Sequence, residues 1–213
     1  MLTRLLTLIV LSLLSVGGFA AKPYEDPYKA YEEADHFIDD MDLNMTYPAV
    51  DKSERNDVRK YMRNLKKDLV KRNYKAELVR DDEVVVIELP SDALFLPNDT
   101  LLWTGRASRL LDPLKSFFSD PDFFKIIISV NTDNTGSEAY NMQLAEARAS
   151  SMNDWFESNS APDLVYVSYA WGDQDPIMPN NTRDGRKANR RVELYLIPGP
   201  KLIDLAHQKK LIK

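Results

Sequence analysis

The clearest fold signal is the stretch Asn131-Thr-Asp-Asn-Thr-Gly-Ser-Glu-Ala-Tyr-Asn-Met-Gln-Leu-Ala-Glu-Ala-Arg148. It predicts the end of a strand, a short polar loop with one glycine, and an amphipathic helix. Asp133 lies in the loop, and Arg148 follows 15 residues later on the helix, about four turns away. The apolar face of a helix explains the leucine and aromatic residues of this stretch but not that acid–base pair. The pair would suit a ligand that carries both an ammonium group and a carboxylate.

Strand-like and helix-like segments alternate along the rest of the chain. Apolar β-branched runs predict strands at residues 76–80, 84–89, 124–130, 164–170 and 191–197. Apolar residues at helical spacing predict helices at 52–72, 103–118 and 138–157. Residues 94–96 and the polar segment 171–187 are predicted as loops. Strand–helix–strand units favour parallel neighbours, which gives an α+β fold with helices on one face of a mixed sheet.

The N-terminus of the 213-residue chain has the pattern of a secretory signal peptide over residues 1–20. Arg4 precedes an apolar run, and the small residues at 18–21 offer a cleavage site. An uncleaved membrane anchor is the alternative, although the apolar run is short for a membrane span. Both interpretations place the remainder of the chain outside the cytoplasmic membrane.

The remaining sequence divides by composition into three segments. Residues 21–75 are predicted to form an acidic linker, with a short helix around 27–41, followed by a basic amphipathic helix. Residues 76–198 are predicted to form the main domain, and 199–213 a basic tail compatible with a short helix.

The basic residues of the helix predicted at 52–72 lie opposite its apolar stripe. A solvent-exposed helix face explains them, and so does a site for an acidic partner such as lipid headgroups or the acidic segment 25–42. Charge patterning alone does not separate these interpretations. Residues 22–75 are therefore the expected contact region for any envelope protein partner.

The composition argues against several classes of function. The net charge is −5, whereas binding nucleic acid requires an excess of Lys and Arg to neutralise phosphates. The chain has no cysteine, and its two histidines, His36 and His207, lie in flanking segments, which argues against metal sites and histidine-dependent hydrolases. Asp173 and Asp175 are paired carboxylates, but such residues in a polar loop are more often solvated turn residues than an acid–base pair. We therefore expect no enzyme, cofactor or metal.

Two interpretations apply to the loop at residues 132–137. Its backbone N–H groups, together with the N-terminus of the following helix, would form an anion site. Asp133 could instead accept hydrogen bonds from the same turn, with Ser137 capping the helix and Arg148 lying on the surface as an ordinary base. Spacing alone leaves both open.

Two motifs about 40 residues apart resemble those of a known family. The first comprises Thr132-Asp133-Asn134-Thr135-Gly136, Tyr140-Asn141, Leu144 and Arg148-Ala149. The second comprises Pro179, Asn181, Thr182, Gly185-Arg186 and Asn189-Arg190-Arg191-Val192-Glu193-Leu194. Together they resemble the OmpA-like peptidoglycan-binding domain found in OmpA, the Pal lipoproteins and the flagellar stator proteins. The resemblance covers roughly residues 83–198.

The resemblance implies a β/α/β/α/β-β sandwich of helices on a mixed sheet, here preceded by an N-terminal helical extension. It also implies non-covalent binding of the peptide stem of peptidoglycan. Asp133 and Arg148 match the family positions that hold the side-chain amino-acid end of meso-diaminopimelate, with the ammonium group on Asp133 and the carboxylate on Arg148. The other ligand-binding residues implied are Asn134, Thr135, Gly136, Asn141, Asn189 and Arg190. For Arg190 and Arg191, a structural role at the strand end is the alternative.

Two positions depart from the family pattern: Asn131 stands where histidine is usual, and Ala145 where serine is frequent.

The expectation is a secreted envelope protein, in the periplasm or on the periplasmic face of the outer membrane, anchored to diaminopimelate-type peptidoglycan. One alternative, supported by the two departures, is an envelope protein–protein interaction module with a weakened or lost ligand site. Another is an enzyme acting on the wall, which the lack of a core histidine and of cysteine argues against. The sequence leaves a homodimer open.

Overall fold

The computed structural model describes residues 24–29 and 40–211, and these contain a five-stranded mixed sheet. The strands lie in the order β1-β2-β5-β3-β4. Only β3 and β4 run parallel, and the other three neighbouring pairs are antiparallel. This confirms the predicted α+β class. The strands are β1 Lys75–Val79, β2 Val84–Pro90, β3 Phe124–Asn131, β4 Tyr166–Gly172 and β5 Arg191–Pro198.

Helices fill the connections between the strands and flank the sheet. The longest, α5, joins the parallel strands β3 and β4, as the strand–helix–strand pattern predicts. The α-helices are α1 Met41–Met45, α2 Arg55–Lys71, α3 Ser91–Leu94, α4 Thr104–Leu111, α5 Glu138–Asn159, α6 Arg183–Asn189 and α7 Pro200–His207, and a 3-10 helix spans Asp112–Phe117.

The strand order brings three chain segments together at one edge of the sheet. Strands β2 and β3 are both antiparallel to β5, which lies between them, so β2 and β3 run in the same direction. Their C-terminal ends therefore meet the beginning of β5 at the same edge. The segments there are α3, which follows β2, the loop after β3, and Arg190, which precedes β5.

Alternate residues of the strands contribute to two hydrophobic clusters. The larger cluster joins the sheet to α2, α4, α5 and α7, with Leu65, Phe156 and Leu202 among its buried members. In the smaller cluster, Met41 and Met45 of α1 pack against the opposite set of strand residues. Strand β3 is buried along its whole length because both faces of the sheet are covered there.

Three segments differ from their predicted structure. The short helix α3 at residues 91–94 extends into the loop predicted at 94–96, and Phe95 within that loop forms a β-bridge with Leu102. The helix predicted at 103–118 changes after Leu111 into a 3-10 helix, and the proline at its second position cannot donate a backbone hydrogen bond. The segment predicted as a loop at 171–187 contains the start of α6, whose first turn is capped when the Thr182 hydroxyl accepts a hydrogen bond from Gly185 N.

The arginines of α2 find partners within the protein. Arg55 and Arg59 approach Glu83 at 3.1 and 3.3 Å, and Arg63 approaches Asp82 at 2.7 Å. The acidic turn between β1 and β2 therefore neutralises one side of the basic helix. Its lysines, Lys60, Lys66, Lys67 and Lys71, have no carboxylate within 4 Å among the described residues.

Within the same residues, no helix combines the length and apolar character needed to cross a membrane. The signal peptide predicted at 1–20 and most of the helix predicted around 27–41 fall outside the described residues. The tail is helical at α7, and its buried Leu202, Ile203 and Ala206 join the main core.

Candidate functional site

A cleft of about 560 Å³ opens at the edge of the sheet where β2 and β3 end and β5 begins. Asp92 comes from α3, Asp133 from the loop after β3, Arg148 from α5, and Arg190 from the residue before β5. The two residues singled out by their spacing in the sequence, Asp133 and Arg148, therefore line a single cleft.

The loop after β3 is ordered by its own hydrogen bonds. Oδ1 of Asp133 accepts a hydrogen bond from Thr135 N at 2.8 Å, and the Ser137 hydroxyl caps α5 by accepting one from Tyr140 N at 3.2 Å. Gly136 adopts a φ of 118°, where a Cβ would be strained and would lie 3.0 Å from the Tyr140 ring. Asp133 thus accepts hydrogen bonds from its own turn, as one of the two interpretations of the sequence states.

Arg190 bridges the two carboxylates of the cleft. Its Nε and Nη2 donate to the two oxygens of Asp92, both at 2.8 Å, and its Nη1 donates to Oδ2 of Asp133 at 2.5 Å. The hydrogen bonds from Arg190 hold the pKa of Asp92 below its usual value. Burial acts to raise the pKa of Asp133, but the hydrogen bonds from Arg190 and Thr135 outweigh it, so this pKa is also lowered. Both carboxyls are therefore ionised near neutral pH.

Arg148 is buried in the cleft wall, with 5% of its surface exposed, which excludes its interpretation as an ordinary surface base. Its Nε donates to the carbonyl of Asp99 at 2.9 Å, its Nη1 to the Ser91 hydroxyl at 3.2 Å, and its Nη2 to the carbonyl of Leu96 at 3.4 Å. Its guanidinium lies over the Phe95 ring, 4.9 Å from the centroid. Burial disfavours the charged guanidinium and lowers the pKa of Arg148. The nearby negative charge of Asp92 acts to raise this pKa, but the effect of burial is larger.

Two donor groups in this wall lack a protein acceptor. A guanidinium has five N–H bonds, so the three contacts of Arg148 leave one N–H on each terminal nitrogen. Asn141 is 1% exposed, and its Nδ2 has no hydrogen-bond partner. Because buried donors are normally satisfied, these groups are available to an acceptor such as a carboxylate.

The remaining predicted site residues differ in how they relate to the cleft. Thr135 lies in its wall, whereas Asn134 and Gly136 lie in the exposed loop beside it. Asn189 is fully buried behind the cleft. Its Oδ1 accepts hydrogen bonds from the backbone of Ile177 and Met178, and its Nδ2 donates to the Met178 carbonyl and to the Asn180 side chain. Its contacts thus fix the loop that precedes α6.

Neighbouring residues of the second motif have structural contacts. Arg191 is buried and donates to Glu193 at 2.9 Å and to the Asp175 carboxylate at 2.6 Å, so it anchors the start of β5. Asp175 thus has an ion-pair partner in Arg191. Asn131, at the family's usual histidine position, is fully buried, donates to the Ser129 hydroxyl at 3.0 Å and does not line the cleft.

Several residues of the cleft are absent from the sequence-based set. Asp92 could have been found as the first acid after β2, had the strand order been known. Arg186 belongs to the second motif and Trp103 to the apolar stripe of the helix predicted at 103–118, but neither pattern assigns a ligand contact, and Arg106 and Arg183 belong to no motif. The residues are Asp92, Trp103, Arg106, Arg183 and Arg186. No cluster of histidine, aspartate or glutamate suited to a metal ion occurs in the described part of the chain.

The comparisons with known proteins converge on the segment that forms the cleft. Residues 94–190 match the family model described as the OmpA family. These residues form an OmpA family domain. The matched segment of this domain contains Asp133, Arg148 and Arg190, whereas Asp92 precedes it.

Relatives share the OmpA family domain rather than their full length with this chain. Outer membrane protein A of Bordetella avium is 39% identical over 101 residues, which are 47% of this chain and 50% of that protein. The peptidoglycan-binding protein ArfA of Mycobacterium tuberculosis is 36% identical over 89 residues, which are 42% of this chain and 26% of ArfA. The chain thus spans half or less of these relatives.

A solved structure supports the fold. A putative MotB-like protein from Desulfovibrio vulgaris superposes with a TM-score of 0.55 at 24% identity, over 68% of this chain and 95% of that one. At this identity the likeness shows that the two chains share a fold.

Proposed function

We propose that the cleft binds the peptide stem of peptidoglycan non-covalently and thereby anchors this protein to the cell wall. The observation that carries the proposal is the position of Asp133 and Arg148, which are 7% and 5% exposed and line one cleft. The name of the relative ArfA, a peptidoglycan-binding protein, agrees with this function. The proposed location is the periplasm or the periplasmic face of the outer membrane.

Arg148 and Asn141 provide the carboxylate contact of the proposed complex. The free N–H on each terminal nitrogen of Arg148 suits the two oxygens of a carboxylate, and Nδ2 of Asn141 adds a further donor. These groups would receive the side-chain carboxylate of meso-diaminopimelate. Because they are already buried, they lose little freedom when the ligand binds.

Asp133 provides the contact for the ammonium group. Each of its oxygens already accepts one hydrogen bond, Oδ1 from Thr135 and Oδ2 from Arg190, and each retains a second acceptor position. The lowered pKa of Asp133 keeps the carboxylate charged, as an ammonium contact requires. The contact with Arg190 fixes its orientation while it binds the ligand.

The test is co-sedimentation of the purified protein with sacculi that contain diaminopimelate. The variant Asp133→Asn/Arg148→Lys keeps the size of both groups but removes one charge and the planar fork. We expect it to bind at least tenfold more weakly than the wild type. The matched control, Asp154→Asn/Arg109→Lys, changes exposed residues of α5 and α4 outside the cleft and should bind like the wild type. Thermal unfolding confirms that each variant is folded.

Sacculi whose stem peptide carries lysine instead of diaminopimelate test the ligand. Lysine has the ammonium group but not the side-chain carboxylate, so the contact with Arg148 is lost and binding should weaken at least tenfold. Equal sedimentation with both types of sacculus would refute the carboxylate contact. Absence of sedimentation with either would refute wall binding and favour the protein–protein interaction module. A photo-crosslinker at the partly exposed Lys66 would then identify a protein adduct.

A further inference from the structure

The cleft has a positive charge although the whole chain has a net charge of −5. Five arginines line it, together with only two carboxylates, Asp92 and Asp133, and both carboxylates are bound to Arg190. In the described part of the chain, the other four arginines have no carboxylate within 4 Å. The arginines are Arg106, Arg148, Arg183, Arg186 and Arg190.

Two of these arginines lie free at the exposed rim of the cleft. Arg106, on α4, lies over the Trp103 ring at 4.2 Å, and Arg183 is the first residue of α6. Arg186 differs because it donates to the Asn180 carbonyl at 2.9 Å and so has a role in holding the loop. Neither the Arg106 nor the Arg183 guanidinium donates a hydrogen bond to a described residue, so the terminal donors of both side chains are available to a ligand.

The carboxylate held by Arg148 does not account for the charge at the rim. Like charges that converge without counter-charges destabilise the free protein and attract anions. A single ligand carboxylate at Arg148, which is buried in the wall, leaves Arg106 and Arg183 unpaired. The charge of the cleft thus fits a ligand with at least one further carboxylate outside the buried contact.

We propose that Arg106 and Arg183 make this cleft selective for stem peptides in which the glutamyl residue next to diaminopimelate has a free α-carboxylate. This inference rests on the proposed function and adds a specificity to the same site. The glutamyl residue adjoins diaminopimelate in the stem peptide, so its α-carboxylate lies one residue from the group bound at Arg148. Amidation of that carboxylate would remove its charge and weaken binding.

The experiment compares two synthetic peptides by isothermal titration calorimetry. Both have the sequence L-alanyl-γ-D-glutamyl-meso-diaminopimelate with an amidated C-terminus, and they differ only in a free or amidated glutamyl α-carboxyl group. We expect the wild type to bind the free acid roughly two- to fivefold more tightly, the range for exposed ion pairs. The preference should decrease at 0.5 M salt, since exposed charges are screened.

The variant Arg106→Gln/Arg183→Gln should bind both peptides equally, with the affinity of the wild type for the amidated peptide. The control Arg109→Gln/Lys187→Gln removes two exposed charges from the same helices, α4 and α6, but outside this cleft, and should retain the preference. If the wild type binds both peptides equally, or the rim variant keeps the preference, the specificity is refuted and wall binding stands. If neither peptide binds to the wild type, the proposed function itself fails.

Discussion

Arg190 Nη1 donates a hydrogen bond to Oδ2 of Asp133 across 2.5 Å, and this contact links the loop after β3 to the start of β5. The same guanidinium binds Asp92 with its other two nitrogens and so includes α3 in the link. Three segments that are distant in sequence are thereby held around one cleft. Arg190 thus orients the carboxylate that we assign to the ammonium group of the ligand.

Removal of this link should loosen the cleft. In Arg190→Gln, Asp92 and Asp133 lose their shared cation and repel each other, so we expect the free energy of unfolding to decrease by about 1–3 kcal/mol. Urea unfolding measures the change. The control Arg109→Gln, at an exposed position of α4, should have the wild-type midpoint. An Arg190→Gln midpoint equal to that of the wild type would contradict a structural role for this network.

The same network predicts how stability depends on pH. The pKa values of Asp92 and Asp133 are lowered from the ordinary 3.8, so the folded protein binds these protons less tightly than the unfolded chain. Their contribution to stability is complete above the unfolded pKa and is lost as the pH falls through the lowered folded pKa. We therefore expect the free energy of unfolding to decrease as the pH falls below about 4.

Urea unfolding at several pH values tests this dependence. In Asp92→Asn the decrease should be smaller, because one of the two titrating groups is absent. Asp154→Asn, at an exposed site on α5, should reproduce the wild-type profile. Identical pH profiles for Asp92→Asn and the wild type would show that Asp92 does not contribute to the acid sensitivity.

The turn between β1 and β2 should depend on Glu83. Residues 80–82 have positive φ angles of 49°, 53° and 69°, a backbone conformation that is costly for residues other than glycine. The Glu83 side chain is 8% exposed and lies within 3.4 Å of Arg55, Arg59 and Arg80. Glu83→Gln leaves three cations around a neutral group, so we expect a loss of about 2 kcal/mol of stability. Thermal unfolding measures it, and the exposed Glu77→Gln should have a negligible effect.

Helix α6 should not accept a side chain at Gly185, because the preceding loop packs against this position. A Cβ there would lie 2.0 Å from the Pro179 carbonyl oxygen and 2.8 Å from the Thr182 hydroxyl. Gly185→Ala should therefore reduce the free energy of unfolding by about 1–3 kcal/mol. Gly105→Ala is the matched control, because a Cβ there meets nothing within 4 Å, and this change in α4 should stabilise by about 0.5–1 kcal/mol. Equal destabilisation by both changes would contradict the close packing at Gly185.

Sequence patterns correctly predicted the strands and helices that have a long apolar run or an apolar stripe of their own. The β-branched run at residues 126–128 lies in the centre of β3, and the helix predicted at 138–157 is α5, with Ser137 as its cap. The helix α6 was missed because it has only seven residues and its buried members, Gly185 and Asn189, carry no apolar stripe. Short elements of this kind are stabilised by tertiary contacts rather than by their own pattern.

The sequence by itself determined the α+β class and singled out Asp133 and Arg148, since periodicity, loop chemistry and motif spacing are properties of the chain. Only the tertiary structure decided what surrounds that pair. Strand β5 inserts between β2 and β3, and this non-local pairing brings Asp92 and Arg190 to Asp133 and encloses Arg148 in carbonyl groups of the segment after α3. These contacts join residues about 50 to 100 positions apart in the sequence. Local sequence patterns do not extend over such separations, so the positions of these residues are fixed only when the whole sheet packs.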